Sequence, residues 1–463
     1  MARVQFILGR SGTGKTRRCL DGICAALQTP SPLRGTPPSQ GESSLVLLVP
    51  EQATYQAERA ILSHPEIAGF SRLHVLSFNR LQFQLNAGIG SAAVELSRTG
   101  KQMVLGKLLA ELDDQLALYK GQAQRMGLAD KLSDLLTDFQ HSGCTAQQIA
   151  ALAETLAGRP GQALAAAKWA DIAKIYAAYE SFFHAESSGF ANPDVELTKA
   201  KDRVAATGFL HGARLWVDGF SGFSVQERDM LIELLKVCKD ASIALCLDPA
   251  TIDLDNGDED KLDPCSLFAS TEQTYCQLLR IVRGCKLDVS EPMVLTEPRR
   301  FSDAPALAAL EKNFISTDPP EPVASKGTIQ IAACGNVRAE TQWVAGRINS
   351  LVRDCGYRYR ELAVVVPDMD AYQHYLESAF AEYDLPYFLD RPRLMKTHPL
   401  TELIGSALQA VQNNFALSDV LSFLKSPLHN FDLEQIDALE NYCRAHDIEG
   451  AEWLSQQPWD FAS

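Results

Sequence analysis

A glycine-rich octapeptide near the amino terminus carries residue types suited to binding nucleotide phosphates. Residues 9–16 fit the pattern G-x-x-x-x-G-K-[ST] without a mismatch. In such a loop the backbone N–H groups converge on phosphate oxygens, the lysine adds a positive charge and the last hydroxyl can bind Mg²⁺. We therefore predict an ATP site in which Thr16 also binds Mg²⁺. Its predicted nucleotide-binding residues are Gly9, Arg10, Ser11, Gly12, Thr13, Gly14, Lys15 and Thr16.

A second predicted Mg²⁺ ligand is Asp218, which follows the apolar run 215–217. A P-loop ATPase uses a carboxylate at the end of a neighbouring strand in this way, and a motor ATPase adds a glutamate beside it to polarise the attacking water. Gly219 stands in the place of that glutamate. The sequence thus predicts a site that binds ATP but hydrolyses it poorly, and no catalytic residue is assigned. The alternative for Asp218 is a capping role at a strand-to-turn junction.

The loop pattern has meaning only between a strand and a helix, and the flanking residues predict both. An apolar run at 4–8 precedes it, and Leu20, Ile23, Cys24 and Leu27 follow it at helical spacing. Other short runs rich in β-branched residues predict strands at 45–49, 74–76, 215–217, 243–247, 329–332 and 362–366. Because helical patterns separate these runs, they indicate an α/β fold with parallel sheets.

Two stretches of the chain depart from this alternation. From about 96 to 207 the strand signal is lost and helical periodicity takes over, which predicts a helical subdomain inserted in the α/β core. Around 286–327 the sequence is rich in proline, and we interpret it as an irregular boundary before a second α/β domain.

Composition narrows the class of protein. The formal net charge of −15 argues against a chain that coats nucleic acid indiscriminately, although a local DNA groove is compatible with it. The 11 cysteines include no C-x-x-C pair, so no metal cluster is predicted. No apolar run approaches the length of a membrane span, and the first residues predict a strand rather than a signal peptide. We expect a cytoplasmic protein with no membrane contact.

Eight motifs follow one another along nearly the whole chain. They are GRSGTGKT at 9–16, LLVPEQ at 47–52, VLSFNRL at 75–81, VDGFSGF at 217–223, GYRYRELAVVVPD at 356–368, LPYFLD at 385–390, HPL at 398–400 and LENYC at 439–443. Together they resemble the N-terminal part of the AddB (RexB) family, which forms the AddAB helicase–nuclease together with AddA. The set is far more specific than the P-loop by itself.

The resemblance implies a superfamily-1 helicase-like core of the P-loop NTPase (RecA-like) type. The domains expected from it are a first RecA-like part at 1–95, a helical insertion at 96–207, the remainder of that RecA-like domain at 208–325, the start of a second one at 326–395, and a helical segment at 396–463. Longer family members carry a C-terminal nuclease domain and a [4Fe–4S] cluster. Neither the nuclease domain nor the cluster is expected in this segment.

The resemblance also implies a function. The family processes double-strand DNA breaks for homologous recombination, with this part guiding DNA and scanning it for Chi sequences while an AddA-type partner supplies the active motor. The expected ligands are therefore ATP, Mg²⁺ and single- and double-stranded DNA. The alternatives are an independent P-loop ATPase or kinase, and an interaction scaffold that has lost its ligand.

Residue types suggest where DNA would bind. Aromatic faces stack on bases, and arginine binds phosphates. Residues 77–83 follow a predicted strand, combine both types and resemble a helicase motif that contacts the DNA backbone. The predicted DNA-binding residues are Phe78, Arg80, Phe83, Phe220 and Phe223. The alternatives are core packing for Phe78 and Phe83 and a surface salt bridge for Arg80.

Overall fold

The structure of the protein is a computed structural model that describes residues 2–28, 44–65, 67, 69–86, 94–122, 125–184, 189–316, 318, 320–325, 327–389, 395, 398–456 and 458–459. The chain divides into two compact units, residues 1–330 and 331–463. No helix in the described part of the chain is long and apolar enough to cross a bilayer.

A parallel sheet lies at the centre of the first unit. The strands of this unit are β1 (Arg3–Gly9), β2 (Leu45–Leu48), β3 (Leu73–Leu76), β4 (Val94–Glu95), β5 (Phe190–Ala191), β6 (Arg214–Val217), β7 (Asp240–Cys246), β8 (Asp288–Val289) and β9 (Met293–Leu295). Seven of them form the sheet in the order β3-β2-β6-β7-β1-β8, with β9 also paired to β1. Every pairing is parallel. The predicted α/β class with a parallel sheet is thus confirmed.

Helices cover both faces of this sheet. The helices of the first unit are α1 (Lys15–Gln28), α2 (Thr54–Leu62), α3 (Phe78–Asn86), α4 (Arg98–Glu111), α5 (Met126–His141), α6 (Ala146–Ala157), α7 (Ala163–His184), α8 (Pro193–Lys201), α9 (Val225–Val237), α10 (Ala269–Gly284) and α11 (Pro305–Asn313). Side chains of β1 alternate between the two faces. Phe6 packs edge-on against Tyr275 of α10 at 4.9 Å between ring centroids, whereas Ile7 joins the cluster that contains Ile23 of α1. This double burial explains why the strands read as continuous apolar runs.

Helices α4 to α7 have an apolar core of their own. Leu105, Leu132, Ile175 and Tyr176 are almost fully buried in it. The small ladder of β4 and β5 lies at the two ends of this helical part of the sequence.

The second unit is helical in its described residues. Its helices are α12 (Val337–Cys355), α13 (Met369–Glu382), α14 (Pro399–Gln412), α15 (Leu417–Leu424) and α16 (Leu433–His446). The predicted strands at 329–332 and 362–366 are wrong, because the chain forms no strand in either stretch. Ile331 and Val365 are 95% and 91% exposed. A strand needs a neighbouring strand to bond its N–H and C=O groups, and the described residues supply none.

The interpretation of 286–327 as irregular is also wrong in part. Two short strands of the sheet, β8 and β9, lie in this stretch, and α11 follows them. Strand β9 pairs with the last three residues of β1, of which Gly9 is also the first residue of the P-loop. The stretch therefore belongs to the neighbourhood of the predicted nucleotide site.

Candidate nucleotide-binding site

The P-loop lies at the carboxyl end of β1, between that strand and α1. Gly12 and Gly14 have φ values of +80° and +97°, which residues other than glycine rarely adopt. The Lys15 ammonium donates hydrogen bonds of 2.8 Å to the carbonyl oxygens of Gly9 and Arg10. Thr13 donates a hydrogen bond of 2.9 Å to the same Arg10 carbonyl. The loop therefore closes around its own lysine, which stands at the amino end of a helix, where anions bind favourably.

Asp218 stands opposite this lysine at the carboxyl end of β6. The residue is 8% exposed, and its N–H donates a hydrogen bond of 3.1 Å to the Leu48 carbonyl. Burial raises the pKa of Asp218, while hydrogen bonds from Thr16 and the Gly219 N–H and the charge of Lys15 act in the opposite direction. The carboxylate of Asp218 is therefore desolvated and bonded to the hydroxyl of Thr16, the other predicted Mg²⁺ ligand. Such a pair suits a bound cation, whose positive charge would offset the cost of burying the carboxylate.

A cavity of about 610 Å³ opens between these groups, within the range usual for small-molecule sites. It is lined by Ser11, Gly12, Gly14, Lys15, Thr16, Arg17, Asp218, Gly219, Phe220, Ser221, Ala244, Cys246, Thr271, Arg299 and Arg300. Among these lining residues Asp218 is the sole carboxylate. The lining brings together most of the P-loop and Asp218, as the sequence predicted them to meet.

Glu227, the next acidic residue after Asp218 in the sequence, is engaged elsewhere. Its carboxylate accepts a hydrogen bond of 2.8 Å from the Ser224 N–H, and its own N–H donates to the Ser224 hydroxyl at 3.2 Å. These reciprocal bonds are the capping box of α9. Gly219 has φ +87°, and a Cβ built on it would lie 3.2 Å from Cδ of Pro50. The backbone at the position of the expected base is thus shaped for glycine.

Two arginines of this cavity were missed by the sequence analysis. Arg299 and Arg300 lie in a short 3₁₀ turn that follows β9. The Arg300 N–H donates a hydrogen bond of 3.0 Å to the Gly12 carbonyl, which fixes the turn beside the P-loop. In the sequence the apolar residues 293–295 precede this arginine pair, but a run of three residues in proline-rich surroundings is too short to predict a strand.

Arg10 does not line the cavity. Its guanidinium instead contacts the carboxylates of Asp248 and Glu311 at 2.8 and 3.1 Å. The guanidinium of Arg10 thus bonds to acidic side chains, and the prediction that Arg10 binds nucleotide rests on its backbone N–H, as for the rest of the loop.

Three of the predicted DNA-binding aromatics pack together rather than presenting free faces. Phe78 is 5% exposed, and its ring lies 5.6 and 6.2 Å from those of Phe220 and Phe223. Phe220 and Phe223 are partly buried against the main core. The ring of Phe78 has no face open to a base, so the structure corrects its predicted role, and core packing explains it.

The other two candidates lie on the surface of α3, at the β3 edge of the sheet. Phe83 is 74% exposed and Arg80 is partly exposed. Both line a cavity of about 500 Å³. Arg80 forms ion pairs with Glu58 at 3.2 Å and Glu51 at 3.9 Å, which is the salt-bridge alternative. Tyr55 of α2, 68% exposed and not singled out from the sequence, lies one helical turn before Glu58.

Comparison of the sequence with known proteins shows the family of this chain. A family model described as "ADDB, N-terminal" matches residues 6–311. The chain is 36% identical over 460 residues to an ATP-dependent helicase/deoxyribonuclease subunit of Pelotomaculum thermopropionicum, covering 99% of this chain. Proteins with the same description from Heliobacterium modesticaldum and Moorella thermoacetica are 35% and 33% identical, again over 99% of this chain. The chain belongs to the AddB family.

This AddB-family chain spans only part of its relatives. It covers 38%, 36% and 39% of the lengths of the three relatives named above. Its match to the family model includes the P-loop, Asp218 and the arginine pair at 299–300. The described residues contain no group of three or more His, Cys, Asp or Glu side chains arranged around a metal site.

Proposed function

We propose that this chain is the nucleotide-binding, DNA-guiding part of an AddB-type subunit, and that it binds ATP–Mg²⁺ but hydrolyses it poorly. The observation that carries the proposal is the pairing of an intact P-loop with Asp218 in one cavity whose lining includes no second carboxylate. Lys15 and the backbone N–H groups would hold the phosphates. Thr16 and Asp218 would hold Mg²⁺, which neutralises phosphate charge when bound.

Arg299 and Arg300 extend this proposal. Both line the phosphate side of the cavity with Lys15 and Thr16. Arginine binds phosphate oxygens through paired N–H groups, so these side chains suit the outer phosphates of a nucleotide. They would increase affinity, whereas hydrolysis still needs a group that polarises water, and the cavity lining provides no candidate beyond the Mg²⁺ ligand.

A competent ATPase or a kinase is the competing function. Each requires a base beside the γ-phosphate, and the position after Asp218 is occupied by Gly219. The proposed arrangement is therefore that of a superfamily-1 helicase-like motor that binds ATP but does not hydrolyse it efficiently. The intact Lys15 and Thr16 of the P-loop favour ligand binding over a pure scaffold with a relic loop.

The first test measures equilibrium binding of ATP–Mg²⁺ to the purified chain and to Lys15→Ala. We expect binding by the chain and its loss in Lys15→Ala, because the lysine charge and its place at the helix start are both needed. Lys168→Ala is the matched control, since Lys168 lies on α7, away from the cavity. Equal binding by Lys15→Ala and the unchanged chain would refute the proposed site.

We further propose that single-stranded DNA follows the surface formed by Tyr55, Arg80 and Phe83. Two exposed aromatic rings and an arginine are the combination that holds unpaired bases and phosphates. The ion pairs of Arg80 are exposed, and exposed pairs contribute little, so a phosphate can compete for the guanidinium.

The DNA proposal is tested by single-strand binding of Phe83→Ala and Tyr55→Ala. Each change should weaken binding about tenfold, since a stacked base contributes about 1–3 kcal/mol. Phe314→Ala is the matched control, because Phe314 is 66% exposed but is remote in sequence from this surface. If all three variants bind alike, DNA takes another path.

The relatives' description as one subunit of a helicase/deoxyribonuclease supports a partner for this chain. We propose an AddA-type partner that supplies the motor, with double- and single-stranded DNA as the common substrate and Chi scanning in double-strand break repair as the biological role. Such work takes place on the chromosome, in the cytoplasm of a bacterium. Co-purification with an AddA-type protein tests the partnership, and failure to form a complex would contradict it.

A further inference from the structure

Arg10 stands at the meeting point of four elements of the first unit. Its Nη1 donates to Asp248, just after β7, at 2.8 Å, and its Nε donates to Glu311 of α11 at 3.1 Å. The guanidinium also lies 5.3 Å from the ring centre of Phe268, at the start of α10. The P-loop is thus bonded directly to the end of a central strand and to α11.

The contact with α11 is more than a charge pair. Nη2 of Arg10 donates to the backbone carbonyls of Glu311 and Lys312 at 2.7 and 3.3 Å. These carbonyls belong to the last turn of α11, where helical partners are lacking and a cation is favourable. The side chains of Arg10, Asp248 and Glu311 are 25%, 21% and 17% exposed, so water screens their attraction only in part.

The stretch between β9 and α11, residues 296–304, crosses beside the P-loop, and we call it the strap. Its first end is fixed because Leu295 pairs with Gly9 of β1. Its middle is fixed by the bond from the Arg300 N–H to the Gly12 carbonyl and by the ring of Phe301, whose Cε2 lies 2.7 Å from a Cβ built on Gly12. Arg10 fixes the helix that follows.

We propose that Arg10 is a positioning residue: by holding α11 it keeps the strap against the P-loop, and so sets Arg299 and Arg300 against the nucleotide phosphates. This inference rests on the proposed nucleotide site. Without Arg10, the carboxylates of Asp248 and Glu311 would face each other without a cation, and α11 would lose its C-terminal donor. The arginine pair would then remain in the sequence but lose its fixed place in the cavity.

Hydrogen exchange tests the positioning step without nucleotide. The variants are Arg10→Met and Glu311→Ala, with Lys312→Ala as the matched control on the next residue of α11, whose side chain is exposed. We expect faster exchange of the Arg300 amide in the first two variants and no change in the control. Glu311→Ala keeps the bond between Arg10 and Asp248, so it carries the test if Arg10→Met fails to fold. Unchanged exchange in Glu311→Ala would overturn the proposal.

A double-mutant cycle tests the consequence for binding. Arg10→Met should weaken ATP–Mg²⁺ binding about tenfold, which corresponds to about 1.4 kcal/mol. Arg300→Ala should also weaken it about tenfold in the unchanged chain, but by less than about twofold in Arg10→Met, because the two residues act through one arrangement. Additive losses would overturn the proposal. If the unchanged chain binds no ATP–Mg²⁺, the proposed function fails, and exchange at the Arg300 amide still decides whether Arg10 holds the strap.

Discussion

Gly219 is the residue on which the proposed lack of ATP hydrolysis depends. Its φ of +87° and the 3.2 Å between a built Cβ and Pro50 disfavour any side chain. We predict that Gly219→Ala lowers the free energy of unfolding by about 1–2 kcal/mol, the usual cost of a left-handed conformation. Gly219→Glu should add a carboxylate without restoring ATP hydrolysis, because the backbone must move to accept it. Urea denaturation and a phosphate-release assay measure the two effects.

Gly222→Ala is the matched control for this prediction. Gly222 lies in the same turn, but a Cβ built on it meets only an ordinary contact, 3.5 Å from the Thr274 hydroxyl. Equal stability losses at the two glycines, or rapid ATP hydrolysis by Gly219→Glu, would contradict the prediction. Either result would show that the backbone at residue 219 does not prevent a side chain from standing there.

The substitution Asp218→Asn should raise the stability of the protein but weaken its binding of ATP–Mg²⁺. Because burial raises its pKa in the folded state, ionising it opposes folding above the ordinary aspartate pKa of about 3.9. Asp218→Asn should therefore raise the Tm at pH 7 without Mg²⁺, and the gain should shrink as the pH falls through the raised pKa. The same change should weaken ATP–Mg²⁺ binding about 10- to 100-fold, as loss of a metal-orienting group does.

Thermal melts between pH 4 and pH 8 and ATP–Mg²⁺ titrations check this pair of effects. A lower Tm for Asp218→Asn at neutral pH would mean that the carboxylate is a structural cap, which is the alternative that the sequence left open. Unchanged binding together with a raised Tm would contradict the Mg²⁺ role alone.

At this scale the sequence predicted the P-loop and Asp218 because each is defined by neighbours in the chain. It missed Arg299 and Arg300 because their role depends on β9 pairing with β1 across the sequence. It misassigned Phe78 because residue type alone cannot tell a buried aromatic at a strand-to-helix corner from an exposed one.

At the scale of elements, Asp171 of α7 fastens the helical part of the first unit. It is 1% exposed, and its carboxylate accepts hydrogen bonds from the N–H groups of Ala117, Leu118 and Tyr119 at 3.0, 2.7 and 3.1 Å. We predict that Asp171→Ala lowers the free energy of unfolding by at least about 3 kcal/mol, since several buried donors lose a charged acceptor. Urea denaturation followed by circular dichroism measures the loss.

Asp134→Ala is the control for this change. Asp134 pairs with Arg98 at 2.9 Å across an exposed surface, and such pairs contribute about 0–1 kcal/mol. Similar losses in the two variants would mean that Asp171 does not hold α7 to the loop that follows α4.

The strands of the sheet show what a pattern of residue types can predict. Runs such as Leu45–Leu48 were identified as strands because every residue is apolar. They are apolar throughout because both faces of the sheet are buried there. The strands β8 and β9 are only two and three residues long, too short for a pattern. At 362–366 the apolar pattern of a strand was present, but the described residues contain no strand that pairs with it. Residue types within one stretch do not show whether a second strand lies beside it.

At the scale of the molecule, the cavity beside the P-loop belongs to the first unit alone. All of its lining residues lie between Ser11 and Arg300, and that unit has its own sheet and apolar clusters. We predict that residues 1–330 fold by themselves and bind ATP–Mg²⁺ with the same Kd as the whole chain. Titration of the purified fragment checks this, and clearly weaker binding would show that residues 331–463 contribute to the site.

The fate of bound ATP tests the central claim most directly. The purified chain is mixed with less than one equivalent of γ-labelled ATP and Mg²⁺ in the presence of single-stranded DNA, and samples are quenched over time. A site that kept its ligand but lost its base should retain the label as ATP. Release of labelled phosphate at about 1 s⁻¹ or faster, the range of ordinary enzymes, would contradict the account.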